Sequence, residues 1–377
     1  MILYDQIRKL HIEVSSVCNA SCPNCPRNIH GGFAVPSLVE QVMSLEQFKS
    51  YVDQDILSQL THVRFCGNYG DPCTCPALPQ IIEYIYSVNS QIQIEVNTNG
   101  GIRDAKWWAT LGTVLQQNPS SAVIFSIDGS EQTNHIYRRG VVWERLSENF
   151  HAYINAGGKA IWEFLVFYHN RDESSMLRDY AMAEGFSEFR VKKPFGFSNQ
   201  YKSQPYMKVL DKAGNFDYYI YPKDHDVAKN VDDDSTTIDS SVYQSRLDQI
   251  YNDNYLDPGY FDYMDSRPQG IDCMTARDQE VYISCQGQLY PCCFLGHASQ
   301  MHEGRETMLF RKWLTANVGW DKISLKQQSI RDVVSSDYFK LIQQTWSKKH
   351  SEGRIAMCTL MCSSECSLNA VKNLYDQ

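Results

Sequence analysis

Through its first half the chain alternates short runs of period-two hydrophobicity with longer amphipathic stretches, and this limits the folds open to it. Leu10, Ile12 and Val14 alternate as in a half-buried strand. Further strand-like runs are 61–66 (THVRFC), 92–97 (IQIEVN), 122–127 (AVIFSI), 161–167 (IWEFLVF) and 188–192 (EFRVK). Helical patterns occupy 44–60, 76–88, 104–117, 143–156 and 173–184. Ser44 with Gln47 reads as a capping box, and Gly157-Gly158 stops the fourth helix. Successive strand–helix units predict an α/β protein: a parallel sheet with crossover helices, open or curled into a partial (β/α)6 TIM-like barrel. In such folds the chemistry gathers at the C-terminal ends of the strands.

This pattern fills residues 1–195. Residues 196–270 are rich in Tyr, Asp, Asn and Ser and include Asp232-Asp233-Asp234. They read as a polar linker with a few short helices, or as an arm that covers a substrate. Residues 271–377 form a small cysteine-rich α+β region. There 279–284 and 288–293 flank Cys285-Gln286-Gly287, which predicts a hairpin with glycine in its turn.

The net charge of −9 argues against sequence-independent binding to nucleic acid. No run of eighteen apolar residues and no signal peptide is present, so a cytoplasmic protein is expected, with no membrane span. In a reducing compartment clustered cysteines point to metal or redox work, not to disulfides. The 13 cysteines fall into three groups: Cys18, Cys22 and Cys25; Cys66, Cys73 and Cys75; and a last set from Cys273 to Cys366.

Three thiolates on one short loop after a strand can grip one face of a cubane iron–sulfur cluster and leave its fourth iron open. A zinc site completed by His30 is the alternative. The spacing C-x3-C-x2-C at Cys18, Cys22 and Cys25 resembles the signature of the radical S-adenosylmethionine (SAM) enzymes. That resemblance implies that a [4Fe–4S] cluster binds SAM at its open iron and cleaves it to a 5′-deoxyadenosyl radical, which takes a hydrogen from the substrate. Asn24 stands where the family usually has an aromatic residue.

Other segments fall where the family would place them. Gly67-Asn68-Tyr69-Gly70-Asp71 resembles the glycine-rich segment that receives the methionyl ammonium of SAM. Asn97 and Asn99 after the third strand, and Ser126 and Asp128 after the fourth, resemble motifs at the SAM pocket. Arg138 and Arg139 offer a bidentate partner for the SAM carboxylate. The strand end 164–167 matches the adenine-contact position.

The spacing from Cys273 to Cys292 resembles the opening of the SPASM and twitch domains, which hold auxiliary clusters. The shorter twitch arrangement implies one auxiliary [4Fe–4S] cluster on Cys273, Cys292, Cys362 and Cys366, with Cys358 able to replace either of the last two. A four-cysteine zinc is the rival. Cys285 and Cys293 are then semi-buried thiols. Cys66 reads as a small buried hydrophobe, while Cys73 and Cys75 lie on a loop near the expected SAM pocket.

Relatives of this kind either modify ribosomally made peptides or oxidise small molecules such as aminocyclitols. A peptide is preferred, by cross-linking, epimerisation, oxidation or tyramine excision of the splicease type. With the first strand starting near residue 9, a separate small protein would have to recognise a leader. An electron donor such as flavodoxin or ferredoxin is the other implied partner. A zinc-stabilised binding protein without catalysis is the third reading. No side chain stands out as a catalytic acid or base.

Overall fold

The computed structural model describes residues 2–194, 197, 206–225, 243, 245, 258–268, 270–300 and 304–363. Six parallel strands follow the expected order: β1 (Lys9–Ile12), β2 (His62–Phe65), β3 (Gln93–Thr98), β4 (Ala122–Ser126), β5 (Ala160–Leu165) and β6 (Glu188–Lys192). The cysteine-rich region adds β9 (Glu280–Ile283), parallel to β1, and β10 (Leu289–Tyr290), antiparallel to β9. The result is one eight-stranded sheet in the order β10-β9-β1-β2-β3-β4-β5-β6. The predicted hairpin therefore forms, and it extends the first sheet.

The alternation seen in the sequence has a direct cause. One face carries Ile12, Phe65, Val96, Phe125 and Trp162, all fully buried. Over it lie α3 (Leu78–Val88), α4 (Ala105–Leu115) and α6 (Trp143–Asn155). Trp108 of α4 and Tyr153 of α6 both pack against Phe125 at centroid distances of 5.2 and 5.9 Å. The opposite face carries charged side chains, and parallel register aligns ion pairs on it. Arg64 meets Glu95 at 3.2 Å and Glu280 at 3.6 Å. Glu163 meets Lys192 at 2.6 Å and Arg190 at 3.7 Å. β2 and β3 are thus apolar on one side and polar on the other, which is what period two encodes, whereas Ala122, Ile124 and Ile161 form a small apolar cluster on the charged face.

Two expectations need correction. The pattern over 44–60 is two helices, α1 (Leu45–Tyr51) and α2 (Gln54–Gln59). Asp53 between them accepts the Ile56 amide at 2.9 Å, so its side chain starts a new helix instead of continuing the old one. The stretch read as a linker with short helices, or as a covering arm, holds one such helix, Pro258–Asp265, but also a β-hairpin that was not expected, β7 (Met207–Leu210) with β8 (Phe216–Ile220). The hairpin docks on loops at the C-terminal ends of the strands. The Leu210 amide donates to the His30 carbonyl at 3.0 Å, the Tyr168 amide to Tyr221 at 3.0 Å, and the Tyr218 hydroxyl to Ile136 at 2.6 Å. No helix among the described residues is long and apolar enough to cross a membrane.

Candidate active site

The loop after β1 carries Cys18, Cys22 and Cys25, and neighbouring strand ends hold it on two sides. Asn99, just after β3, donates its amide to Asn19 Oδ1 at 3.0 Å and to Cys18 Sγ at 3.6 Å. On the other side the Ser21 amide donates to the Arg139 carbonyl at 2.8 Å, and Arg138 Nη1 donates to Cys22 Sγ at 3.8 Å. Burial pushes the Cys25 thiol up to about 12 and raises Cys18 and Cys22 as well, with the neighbouring thiols adding to the rise for Cys18 and Cys25. Left to themselves these thiols stay protonated at neutral pH; a bound metal would supply the positive charge that deprotonates them.

The two adjacent arginines part company. Arg138 is half-buried against the fully buried Asp128, with Nε and Oδ2 at 2.5 Å. Burial disfavours its charge, but Asp128 and Cys22 more than offset this and hold the guanidinium ionised. The other Asp128 oxygen accepts the Leu165 amide at 2.7 Å, so this carboxylate is spent on positioning. Arg139 turns to the hairpin, donating to the Leu210 carbonyl at 2.7 Å and pairing with Asp217 at 3.0 Å. Ser126 ends β4 on the charged face, in register with Glu163.

The glycine segment after β2 folds onto the chain itself. A Cβ on Gly70 would lie 2.0 Å from the Ser15 carbonyl oxygen, and one on Gly67 would lie 2.7 Å from Glu13 Oε1. Only glycine permits that approach. Glu13 Oε1 accepts the amides of Tyr69 at 2.7 Å and Gly70 at 3.1 Å, and Oε2 accepts the Tyr282 hydroxyl at 3.1 Å. Burial lifts the Glu13 carboxyl to about 7, although these donors oppose the rise. Asn68 donates to the Cys293 carbonyl at 2.7 Å. Asp71 accepts the amides of Cys73 at 2.9 Å and Asn99 at 2.7 Å, and so fastens the β2 loop to the β3 loop. Asn97 Oδ1, on the charged face of β3, is buried with no hydrogen-bond partner among the described residues.

The sequence reading passed over Glu13 and Arg27. Arg27 is buried two residues after Cys25, pairs with Glu40 and donates to the carbonyls of Ser16 and, at 3.3 Å, Tyr69. The only sequence signal for Glu13 was an acid opposite the apolar positions of the first strand.

Farther along, Cys273, Cys292, Cys358 and Cys362 line one small cavity with apolar neighbours such as Ile271 and Trp346. Cys358 and Cys362 lie one helical turn apart on the Ala356–Cys362 helix. Cys273 and Cys292 each sit at the start of a short helix. Burial raises the Cys358 thiol, and the charges of Cys362 and Cys273 add to this. Cys366 lies outside the described residues. Cys285 donates to the Gln41 carbonyl at 3.2 Å. Cys73 and Cys75 are fully buried core residues, whereas Cys66 lies half-buried at the end of the charged strand face. Cys66 is therefore less buried than expected of a small core hydrophobe.

Among the described residues no three His, Cys, Asp or Glu side chains converge as they would around one metal ion. A cubane does not require such convergence, because each thiolate ligates its own iron. Three thiols on one loop and four around one cavity have the donor chemistry such clusters take.

A mostly parallel sheet with a cysteine loop after its first strand, continued by a C-terminal hairpin, is a fold that solved structures share at low sequence identity. One solved example is SuiB of Streptococcus suis bound to its precursor peptide SuiA, with TM-score 0.52 and 12% identity over 98% of this chain and 74% of that one. The chain is also similar to anSMEcpe with bound AdoMet (TM-score 0.49, 14% identity, covering 98% and 92%). A third is BtrN in complex with AdoMet and 2-DOIA (TM-score 0.42, 12% identity, covering 94% and 92%). No family model and no curated protein matches the chain.

Proposed function

We propose that the protein is a radical SAM enzyme that cleaves SAM reductively to a 5′-deoxyadenosyl radical and abstracts a hydrogen atom from a peptide. The observation that carries this reading is the loop of Cys18, Cys22 and Cys25 at the C-terminal end of β1, beside the half-buried cation of Arg138. These three residues would hold the catalytic [4Fe–4S] cluster, which when bound supplies a one-electron reductant and an open iron for SAM. Arg138 places positive charge against the Cys22 sulfur. Asp128 fixes Arg138, and Asn99 donates to the Cys18 sulfur. Hydrogen bonds to cluster sulfurs and nearby charge are the levers by which a protein tunes such a centre.

The SAM pocket on this reading is bounded by 67–71, Asn97, Asn99, Ser126 and Arg138. Asn97 Oδ1 supplies a buried acceptor there that lacks a partner. Arg139 acts on the hairpin and only indirectly on SAM. An auxiliary cluster would be held by Cys273, Cys292, Cys358 and Cys362, whose side chains share one cavity. The likeness in fold to SuiB, solved with its precursor peptide, favours a peptide substrate. A small recognition protein for its leader remains part of the proposal.

The test is anaerobic incubation of reconstituted protein with SAM and dithionite. The expected product is 5′-deoxyadenosine, with about eight irons per chain for two clusters. Zinc without iron, or undiminished cleavage by Cys18→Ala, would overturn the assignment.

A further inference from the structure

We infer that a groove on the outer rim of the sheet, at the N-terminal ends of α3, α4 and α6, is the docking surface for an acidic one-electron donor protein. This rests on the reading of the Cys18–Cys25 loop as a cluster site. The chain carries a net charge of −9, yet the groove is lined by Arg103, Lys106 and Arg145 against a single acid, Asp104. Asp104 is occupied as a helix cap, accepting the Trp107 amide at 2.9 Å. The groove is open and encloses about 530 Å³. Trp107 is partly exposed within it, with the Arg103 guanidinium 5.9 Å from its ring centroid. Val142, 56% exposed, lies one helical turn before Arg145. An aromatic contact among three cations, with an exposed aliphatic side chain close by in sequence, makes a surface that steers and seats a partner of opposite charge.

Its position supplies the second argument. In parallel β/α units the helix N-termini lie at the C-terminal ends of the strands, the same rim that bears the cysteine loop. Two short routes connect them. Arg103 donates Nε to the Cys73 carbonyl at 2.8 Å and Nη2 to the Thr74 carbonyl. Thr74 Oγ1 in turn donates to the carbonyl of Val17 at 3.0 Å, the residue before Cys18. Along the backbone, Asn99 lies four residues before Arg103 and donates to Cys18 Sγ at 3.6 Å. On the opposite flank of the cysteine loop the rim is covered by the β7–β8 hairpin through Arg139. In the transfer the donor is oxidised by one electron, which the protein takes up at the Cys18–Cys25 loop. No covalent bond changes.

The test uses reduced bacterial flavodoxin as the acidic probe and the full-length reconstituted protein. Lys106→Glu/Arg145→Glu reverses two exposed charges in the groove. Lys326→Glu/Lys340→Glu makes the same change in charge at two other exposed positions. Binding is measured by interferometry at low and high salt. The parent should lose about tenfold in affinity as salt screens the contact. The groove variant should lose about tenfold already at low salt, with little salt dependence left, while the control pair behaves as the parent. Formation of 5′-deoxyadenosine driven by dithionite should be equal in all three, and driven by flavodoxin about tenfold slower in the groove variant alone. Unchanged flavodoxin binding by the groove variant, or an equal loss in the control pair, would refute the surface. If the iron-loaded parent fails to cleave SAM with dithionite, the cluster reading itself falls and takes the proposal with it.

Discussion

Arg138 is the residue on which the fold and the cysteine loop both depend, and removing its charge should separate the two roles. Arg138→Met keeps most of the stem and deletes the guanidinium. Asp128, 0% exposed, is then left charged with the Leu165 amide as its remaining charge-stabilising donor. Stranding a buried partner in this way costs about 3–5 kcal/mol. The Cys22 sulfur loses a cation 3.8 Å away, worth about 4 kcal/mol to a thiolate at an effective dielectric of about 20. Asp128→Asn alone strands Arg138, whose side chain is 17% exposed. The double variant removes both charges, so its loss should fall short of the sum of the singles by about 2 kcal/mol. Calorimetric melting of the four proteins should place the double variant above the temperature that additive losses would give. Iron retained after gel filtration should drop in both proteins lacking Arg138, because Asp128→Asn cannot restore charge at Cys22. Strictly additive losses of stability, or iron content rescued along with the melting temperature, would show that the pair is not coupled as described.

The Glu13 carboxyl is raised in the fold from 4.5 to about 7, so folding takes up a proton between those values. Its contribution is full below pH 4.5 and is lost as pH rises through 7, up to about 3 kcal/mol in all. Glu13→Gln should therefore match the parent in melting temperature at pH 5 and exceed it at pH 8; an equal shift at both would contradict the burial argument. Gly70→Ala forces a Cβ into the Ser15 backbone and should cost at least about 1–3 kcal/mol together with iron in the cysteine loop, read from melting and iron assay. Cys358→Ser should lower iron from about eight to about four per chain, while Cys366→Ser leaves it unchanged. The reverse pattern would assign the fourth ligand to Cys366.

Much of this architecture could be read directly because the inner strands are amphipathic. Glu95 and Arg64 alternate with Ile94 and Val63, and a period of two survives wherever one face of a sheet is polar. The hairpin of β7 and β8 was opaque for the opposite reason. Its strands are short, and they are held by Arg139, His30 and Tyr168, contacts distant in sequence that no local pattern reveals. The arginine pair shows a similar limit. Spacing locates Arg138 and Arg139 at the rim, yet consecutive side chains leave the backbone in different directions, and one meets Cys22 while the other meets the hairpin. Cys66 misled because its neighbours look like a buried strand, whereas parity places it with His62 and Arg64 on the charged face. Cys358 was legible as a member of a helical trio, but choosing among three equally spaced thiols requires knowing which turn faces Cys273 and Cys292.

The pairing of β9 with β1 has a consequence for biosynthesis. Lys9 is made well before its partner Glu280, which leaves the ribosome only after the whole of the intervening barrel. Until then one edge of the first strand, the strand that leads into the first cysteine loop, has no neighbour and is open to pairing with other chains. Contacts so distant in sequence also form slowly. A nascent chain stalled or cut before residue 280 would expose that edge permanently, so fragments ending there should aggregate even though all six parallel strands β1–β6 are present. The C-terminal region is in this sense a closing seal for the N-terminal one.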